Sequence, residues 1–242
     1  MPKPKKPKQA PPPAAGDDGP VAHGTGATLY RDFRSGASWR IFRIMSEFIE
    51  GFEFLADLRR EVTIFGSARV PEKSPLYAEA RKLGRLLGQA GFAVITGGGP
   101  GIMEAANRGA AEAHGQSVGL NIVLPKEQRI NPYVKKGMGF YYFFTRKVML
   151  AISSQAYIYF PGGIGTVNEF FEILELIQTK KSEPFPVVLV GREWWTKMLD
   201  WMRETMVPGK FIEPEDLKLF SIVDTAEEAF NLVKDTQERE YP

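Results

Sequence analysis

An apolar run at residues 156–160, Ala-Tyr-Ile-Tyr-Phe, stops at Pro161-Gly162-Gly163-Ile164-Gly165-Thr166-Val167-Asn168-Glu169, and an apolar-periodic segment follows at 170–177. That order predicts a buried strand, a tight glycine turn and a helix. A glycine turn at a helix start lets backbone N–H groups approach an anion, and the helix dipole favours negative charge there. The same order occurs earlier. Residues 92–96, Phe-Ala-Val-Ile-Thr, run into Gly97-Gly98-Gly99-Pro100-Gly101, and a helical pattern follows from Ile102 to Ala111. In an open parallel sheet, ligands bind beyond the carboxyl ends of the strands. Two glycine turns at two such ends are therefore expected to converge on one anionic ligand, with a carboxylate, Glu169, one turn into the second helix.

The rest of the chain fits this architecture. Strands are predicted at 62–66, 92–96, 117–122, 155–160 and 186–190. Helices are predicted at about 75–90, 101–114, 145–153, 165–180, 193–206 and 225–236. Such alternation predicts a Rossmann-like α/β fold: an open parallel sheet with helices on both faces, in a single domain over residues 31–242. Residues 39–58 carry Ile41, Phe42, Met45, Phe48, Ile49, Phe52 and Leu55 at helical spacing, an amphipathic N-terminal helix outside the alternating unit. It is expected to cover a sheet edge or a subunit interface. Residues 1–30, rich in proline and lysine, are expected to be a disordered tail. The stretch 125–139, with Asn131-Pro132-Tyr133, reads as a long functional loop.

Composition excludes several functions. The formal charge is +2, and the first 20 residues hold four lysines and two aspartates, so the remainder is balanced. A neutral folded part argues against nucleic-acid binding. No cysteine is present, which rules out disulfides and thiol catalysis and fits a cytoplasmic protein. No apolar run reaches membrane-spanning length, and the lysine-rich N-terminus lacks the apolar core of a secretory signal. His23 and His114 stand apart from any metal-ligand spacing, so no metal is expected, and His114 reads as a surface residue.

The glycine turns do not match better-known phosphate motifs. The dinucleotide pattern G-x-G-x-x-G fails because Ile102 and Asn168 stand where its third glycine belongs, and no Gly-Lys-Ser/Thr occurs. Each turn also has a plain structural explanation as a tight strand-to-helix connection. Thr166-Val167-Asn168-Glu169 matches the capping box S/T-x-x-E, which would make Glu169 a helix cap. Arg146-Lys147 opens another predicted helix, where positive charge is disfavoured; a solvated pair is the plain reading and anion recognition the functional one.

Taken together these residues resemble the Lonely Guy family of cytokinin riboside 5′-monophosphate phosphoribohydrolases, long labelled lysine decarboxylases. The family signature P-G-G-x-G-T-x-x-E is matched at every fixed position from Pro161 to Glu169, and its upstream Arg-Lys pair by Arg146-Lys147. Residues 96–111 resemble the bacterial-branch motif T-G-G-G-P-G-x-M-E-A-A-N-x-G-A, as do residues 119–125 and Glu127-Gln128. The resemblance covers about residues 40–237. It implies cleavage of the N-glycosidic bond of a purine nucleoside 5′-monophosphate, N6-modified or plain, to free base and ribose 5-phosphate, as in cytokinin activation. It implies Glu169 and Arg146 as catalytic residues, and Gly98, Gly99, Gly101, Glu104, Lys147, Gly162, Gly163, Gly165 and Thr166 as substrate contacts. It further implies a homodimer or higher homo-oligomer; no cofactor is expected and, from charge and hydropathy, no nucleic-acid or membrane partner. A non-catalytic carrier or sensor, holding a nucleotide or the molybdenum cofactor in the same cradle, is the alternative. A pyridoxal-phosphate decarboxylase fits poorly, Lys147 being only a nominal Schiff-base candidate.

Overall fold

The computed structural model describes residues 36–123 and 130–238. The expected tail at 1–30 and the motif residues Pro125, Glu127 and Gln128 lie outside them. In chain order the elements are α1 (Ala37–Ala56), β1 (Glu61–Phe65), α2 (Pro75–Gln89), β2 (Ala93–Thr96), α3 (Ile102–Glu112), β3 (Gln116–Ile122) and β4 (Lys136–Phe140). They continue with α4 (Phe143–Ile152), β5 (Ala156–Tyr159), α5 (Ile164–Gln178), β6 (Val187–Val190), α6 (Arg192–Trp201), β7 (Ser221–Val223) and α7 (Ala226–Val233). A π turn (Met202–Met206) extends α6, and a short 3-10 helix (Pro214–Lys218) precedes β7.

All seven strands are parallel, in the order β4-β3-β2-β1-β5-β6-β7. The central strands β1, β2, β5 and β6 are buried throughout. That is what a parallel sheet with both faces covered demands, and it is why they read as unbroken apolar runs. One core cluster joins Leu55, Leu58, Met149, Leu150, Phe170, Trp195 and Leu199 to one face of the sheet. The other joins Tyr77, Leu83, Leu87, Ile102, Ala106 and Val233 to the opposite face. Helices α1, α4, α5 and α6 thus cover one side, and α2, α3 and α7 the other. Helices α2 and α3 pack unusually close, because a Cβ on Gly84 would meet the Ala106 backbone and one on Gly109 the Arg81–Arg85 backbone.

Two strands escape the sequence pattern. The stretch expected as loop at 125–139 contains most of β4, whose Lys136-Gly137-Met138-Gly139 lacks β-branched residues. The second is β7, only three residues long. Both are edge strands, half covered, where burial does not force an apolar run. Helix α1 packs on α4 and β4 through its C-terminal half, with Leu55 buried and Phe48 and Phe54 against the core. Its Ile41, Phe42, Met45, Ile49 and Phe52 remain exposed. His114 is exposed, in a left-handed turn after α3. Among the described residues no helix is long and apolar enough to cross a membrane.

Candidate active site

A cavity of about 540 Å³ opens at the carboxyl ends of the central strands, within the usual size range of small-molecule sites. The chain reverses its direction of travel across the sheet between β1 and β5, and that switch point is where open α/β sheets place ligands. Gly66, Ser67, Ala68 and Arg69 line the cavity from the β1–α2 loop, Gly97 and Met103 from the first glycine turn and α3, and Asn121 and Ile122 from the end of β3. Arg146 enters from α4. Gly163, Ile164, Gly165, Thr166 and Glu169 enter from the second glycine turn and α5.

Ser67 splices the two turns together. Its N–H donates to the Pro161 carbonyl at 3.1 Å, and its carbonyl accepts from the Ile102 N–H at 3.0 Å. The Gly66–Arg69 segment carries no signal in the sequence, because the strand predicted at 62–66 ends on Gly66; β1 ends at Phe65, and Gly66 opens a turn after it as the other two glycine turns do after their strands.

The second glycine turn is open. Helix α5 starts at Ile164, with Gly163 as its N-cap and no side chain capping it. Its first N–H groups lack intrahelical acceptors by geometry. A Cβ on Gly163 or Gly165 would find nothing within 4 Å, and Ile164 is 91% exposed. The capping box Thr166…Glu169 is not formed, because the helix begins two residues before Thr166. The same signature is realised at Thr225…Glu228, where Thr225 Oγ1 accepts from the Glu228 N–H and Glu228 Oε2 from the Thr225 N–H. Glu169 is therefore not a cap; it faces the cavity. Gly162 lies behind this turn, where a Cβ would strike the buried Thr166 side chain.

Arg146 is pinned. Its Nε donates to the Leu120 carbonyl at 2.7 Å, and its guanidinium lies so close to Gly97 that a Cβ there would collide with it. Burial lowers the Arg146 pKa, and the Glu169 charge opposes that shift. Burial likewise pushes the Glu169 carboxyl up, to about 7. The charges of Arg146 and Lys147 pull it down, while Glu172 raises it through its charge and a hydrogen bond. A carboxyl poised there exchanges a proton readily near neutral pH. The Tyr159 hydroxyl donates to the Glu169 carbonyl at 3.2 Å, which ties α5 to β5.

One further carboxylate holds the site together. Glu47 of α1 is buried and accepts from the Tyr141 N–H at 2.8 Å, the Tyr142 N–H at 3.3 Å and Thr145 Oγ1 at 2.6 Å. It thereby caps α4, which has no side-chain cap of its own, and its charge offsets the two cations in that helix's first turns. The sequence signal was an acid inside the apolar stripe of 39–58.

Other expected contacts lie elsewhere. The Gly98 N–H donates to Thr96 Oγ1, and the Gly98 and Gly99 carbonyls accept from Asn131, so these three groups are satisfied inside the fold. Gly101 serves a close approach to the Ser67–Ala68 backbone. Glu104 accepts from the Tyr77 hydroxyl at 3.1 Å. Lys147 donates to Asn168 Oδ1 at 2.8 Å and pairs with Glu172. None of these five, nor Gly162, lines the cavity.

The family described as "Possible lysine decarboxylase" matches residues 103–233, more than half of the chain. A pyrimidine/purine nucleotide 5′-monophosphate nucleosidase of Escherichia coli (strain K12) is 30% identical over 157 residues. That alignment covers 54% of this chain but only 30% of the nucleosidase. A probable cytokinin riboside 5′-monophosphate phosphoribohydrolase of Oryza sativa subsp. japonica is 28% identical over 170 residues, 69% of this chain and 68% of the relative. Among solved structures, TM1055 superposes with a TM-score of 0.56 at 27% identity, over 72% of this chain and 98% of its own. The molybdenum cofactor carrier protein of Chlamydomonas reinhardtii superposes at 0.53 and 23% identity, over 73% and 96%, a likeness of fold.

Proposed function

As this chain belongs to the family described as "Possible lysine decarboxylase", we propose that it hydrolyses the N-glycosidic bond of a nucleoside 5′-monophosphate, releasing the base and ribose 5-phosphate. One observation carries this reading: Arg146 and a Glu169 carboxyl poised near pH 7 share a cavity with the uncapped start of α5. The free N–H groups of that first helical turn suit the 5′-phosphate. In the reaction the C1′–N bond breaks, water oxygen bonds to C1′, and one water proton ends on the departing base. Positive charge builds on the sugar as the bond breaks. Ionised Glu169 stabilises that charge and relays the proton. Arg146 orients the substrate and offsets negative charge on the phosphate or the leaving base.

A decarboxylase reading lacks its central residue. Schiff-base chemistry needs a lysine amine facing the ligand. No lysine lines the cavity among the described residues, and Lys147 is held by Asn168 and Glu172. Purine monophosphates are the first substrates to test, because the rice relative is named for cytokinin riboside monophosphates. Assembly into homodimers or larger is part of the proposal. The contacting helices α1 and α4 expose Ile41, Phe42, Met45, Ile49, Phe143 and Phe144, and apolar side chains exposed on adjoining helices suit a subunit interface. Light scattering at micromolar concentration should find no monomer.

The test is release of free base from AMP, N6-modified AMP and adenosine, without added cofactor. The monophosphates should react and adenosine should lag far behind. Equal rates on AMP and adenosine would remove the phosphate cradle from the argument. AMP binding with no base released from any monophosphate would favour the carrier. Glu169→Gln keeps the shape and loses the charge, so turnover should fall at least about 10²-fold.

A further inference from the structure

Lys147 follows Arg146 on α4 and reaches a different place. Its Nζ donates to Asn168 Oδ1 at 2.8 Å and lies 3.1 Å from Glu172 Oε2, an ion pair lacking hydrogen-bond geometry. Asn168 and Glu172 are one helical turn apart on α5, and Glu169 sits beside them, adjacent to Asn168 and three residues before Glu172. One lysine therefore grips α5 on either side of the carboxylate that faces the cavity, while its neighbour Arg146 supplies the cation inside it. Lys147 and Glu172 are about a quarter exposed, dry enough for their charges to be felt nearby.

We propose that Lys147, Asn168 and Glu172 form a clasp between α4 and α5 that positions Glu169 against Arg146 and tunes its charge, making Lys147 a positioning residue instead of a substrate contact. The proposal rests on the cavity being the active site, with Glu169 as its working carboxyl. The two charged arms of the clasp act on Glu169 with opposite signs. Glu172 favours its protonated form and Lys147 its ionised form. The other groups facing Glu169 are Arg146 from α4, which also favours ionisation, and the buried Tyr159 from β5, whose hydroxyl pKa is pushed far up and which stays neutral; Arg69 of the β1–α2 loop lines the same cavity. A purely mechanical link between two helices has no such paired signature.

The experiment is a carboxyl ¹³C NMR titration of the full chain, with the Glu169 resonance assigned by its loss in Glu169→Gln. Removing a facing charge shifts a carboxylate by about one unit. Glu172→Gln should lower the Glu169 midpoint by about that much, and Lys147→Met should raise it. Lys147→Arg, which keeps the charge, should return the midpoint close to wild type. If the enzyme turns over AMP, the pH profile of kcat should move in the same directions. Midpoints that stay put in both charge-removing variants, or move the same way, would overturn the clasp. Because the titration needs no turnover, a protein that hydrolyses no monophosphate fails the proposed function and still reports on the clasp.

Discussion

The two glycine turns look alike in sequence, each following a buried strand and opening a helix, yet their surroundings differ throughout. In the first, Gly98 and Gly101 have left-handed φ angles of +71° and +69°. The Gly98 and Gly99 carbonyls are claimed by Asn131, whose Nδ2 also donates to Asn107 Oδ1, and Asn107 in turn donates to Ser117 Oγ and the Val118 carbonyl. In the second, Gly163 and Gly165 have empty space where a side chain would go, and α5 begins uncapped. One turn is glycine-rich so that the chain can fold tightly upon itself. The other leaves open space and helix-start donors without a side-chain cap beside the cavity. A count of glycines cannot separate these causes; the neighbours of each missing Cβ can.

The contrast predicts opposite outcomes for equivalent substitutions. Gly101→Ala should do most damage. It forces an L side chain into left-handed backbone and drives its Cβ to within 2.8 Å of the Ala68 carbonyl carbon. A loss of about 3 kcal/mol or more is expected, read from the urea midpoint. Wild-type stability in that variant would erase the distinction between the turns.

Next in size is a pH effect at the open turn. The raised pKa of Glu169 means the folded protein holds its proton more tightly than the unfolded chain does. Stability from the protonated form is complete below about pH 4.5 and is lost as pH rises through about 7. Glu169→Gln mimics the protonated form. It should match wild type near pH 4.5 and exceed it by about 1–3 kcal/mol at pH 8, after allowance for partial solvent screening. Equal stabilities at pH 8 would show that the carboxylate lies in water. The variant thus gains stability where it loses turnover, the pattern expected of a site residue.

Gly165→Ala should have the smallest effect on folding, within about 1 kcal/mol of wild type and of either sign, since alanine favours helix and meets no neighbour. AMP affinity should nonetheless fall about tenfold, or ~1.4 kcal/mol, because the methyl stands beside the N–H groups of the first turn. Calorimetry on the folded variant measures both quantities. Unchanged affinity would place the phosphate elsewhere.

Much of the fold could be read from the chain because central parallel strands are buried on both faces. Residues 92–96 and 156–160 had to be apolar runs, and the glycines after them had to mark the turns. The edges were silent for the same reason, since Lys136–Phe140 and Ser221–Val223 lack that constraint. At the site, the grouping of Arg146 with Glu169, Gly163, Gly165 and Thr166 came from the family resemblance, since the residues alone left Arg146-Lys147 readable as a solvated pair. The inward-turned roles of Gly98, Gly99, Gly101 and Glu104 did not, because a motif fixes which residues recur and not which way they face. Ser67 was missed because its contribution is made with backbone atoms, which carry no residue signature. Asn131 was visible only as part of a loop, although its amide holds the first turn closed.

Glu47 has a consequence for how this protein can be divided. By position in the chain, α1 looks like an appendage to a self-contained βα repeat, and a trimmed version starting at β1 would keep all seven strands and both glycine turns. Such a version would lack the carboxylate that ends three donors at the start of α4, the helix that carries Arg146. The boundary of the sheet and the boundary of the unit that anchors Arg146 therefore differ by one helix. A graft, fusion or minimal variant designed on sheet topology alone would inherit the cavity without the anchor for its cation.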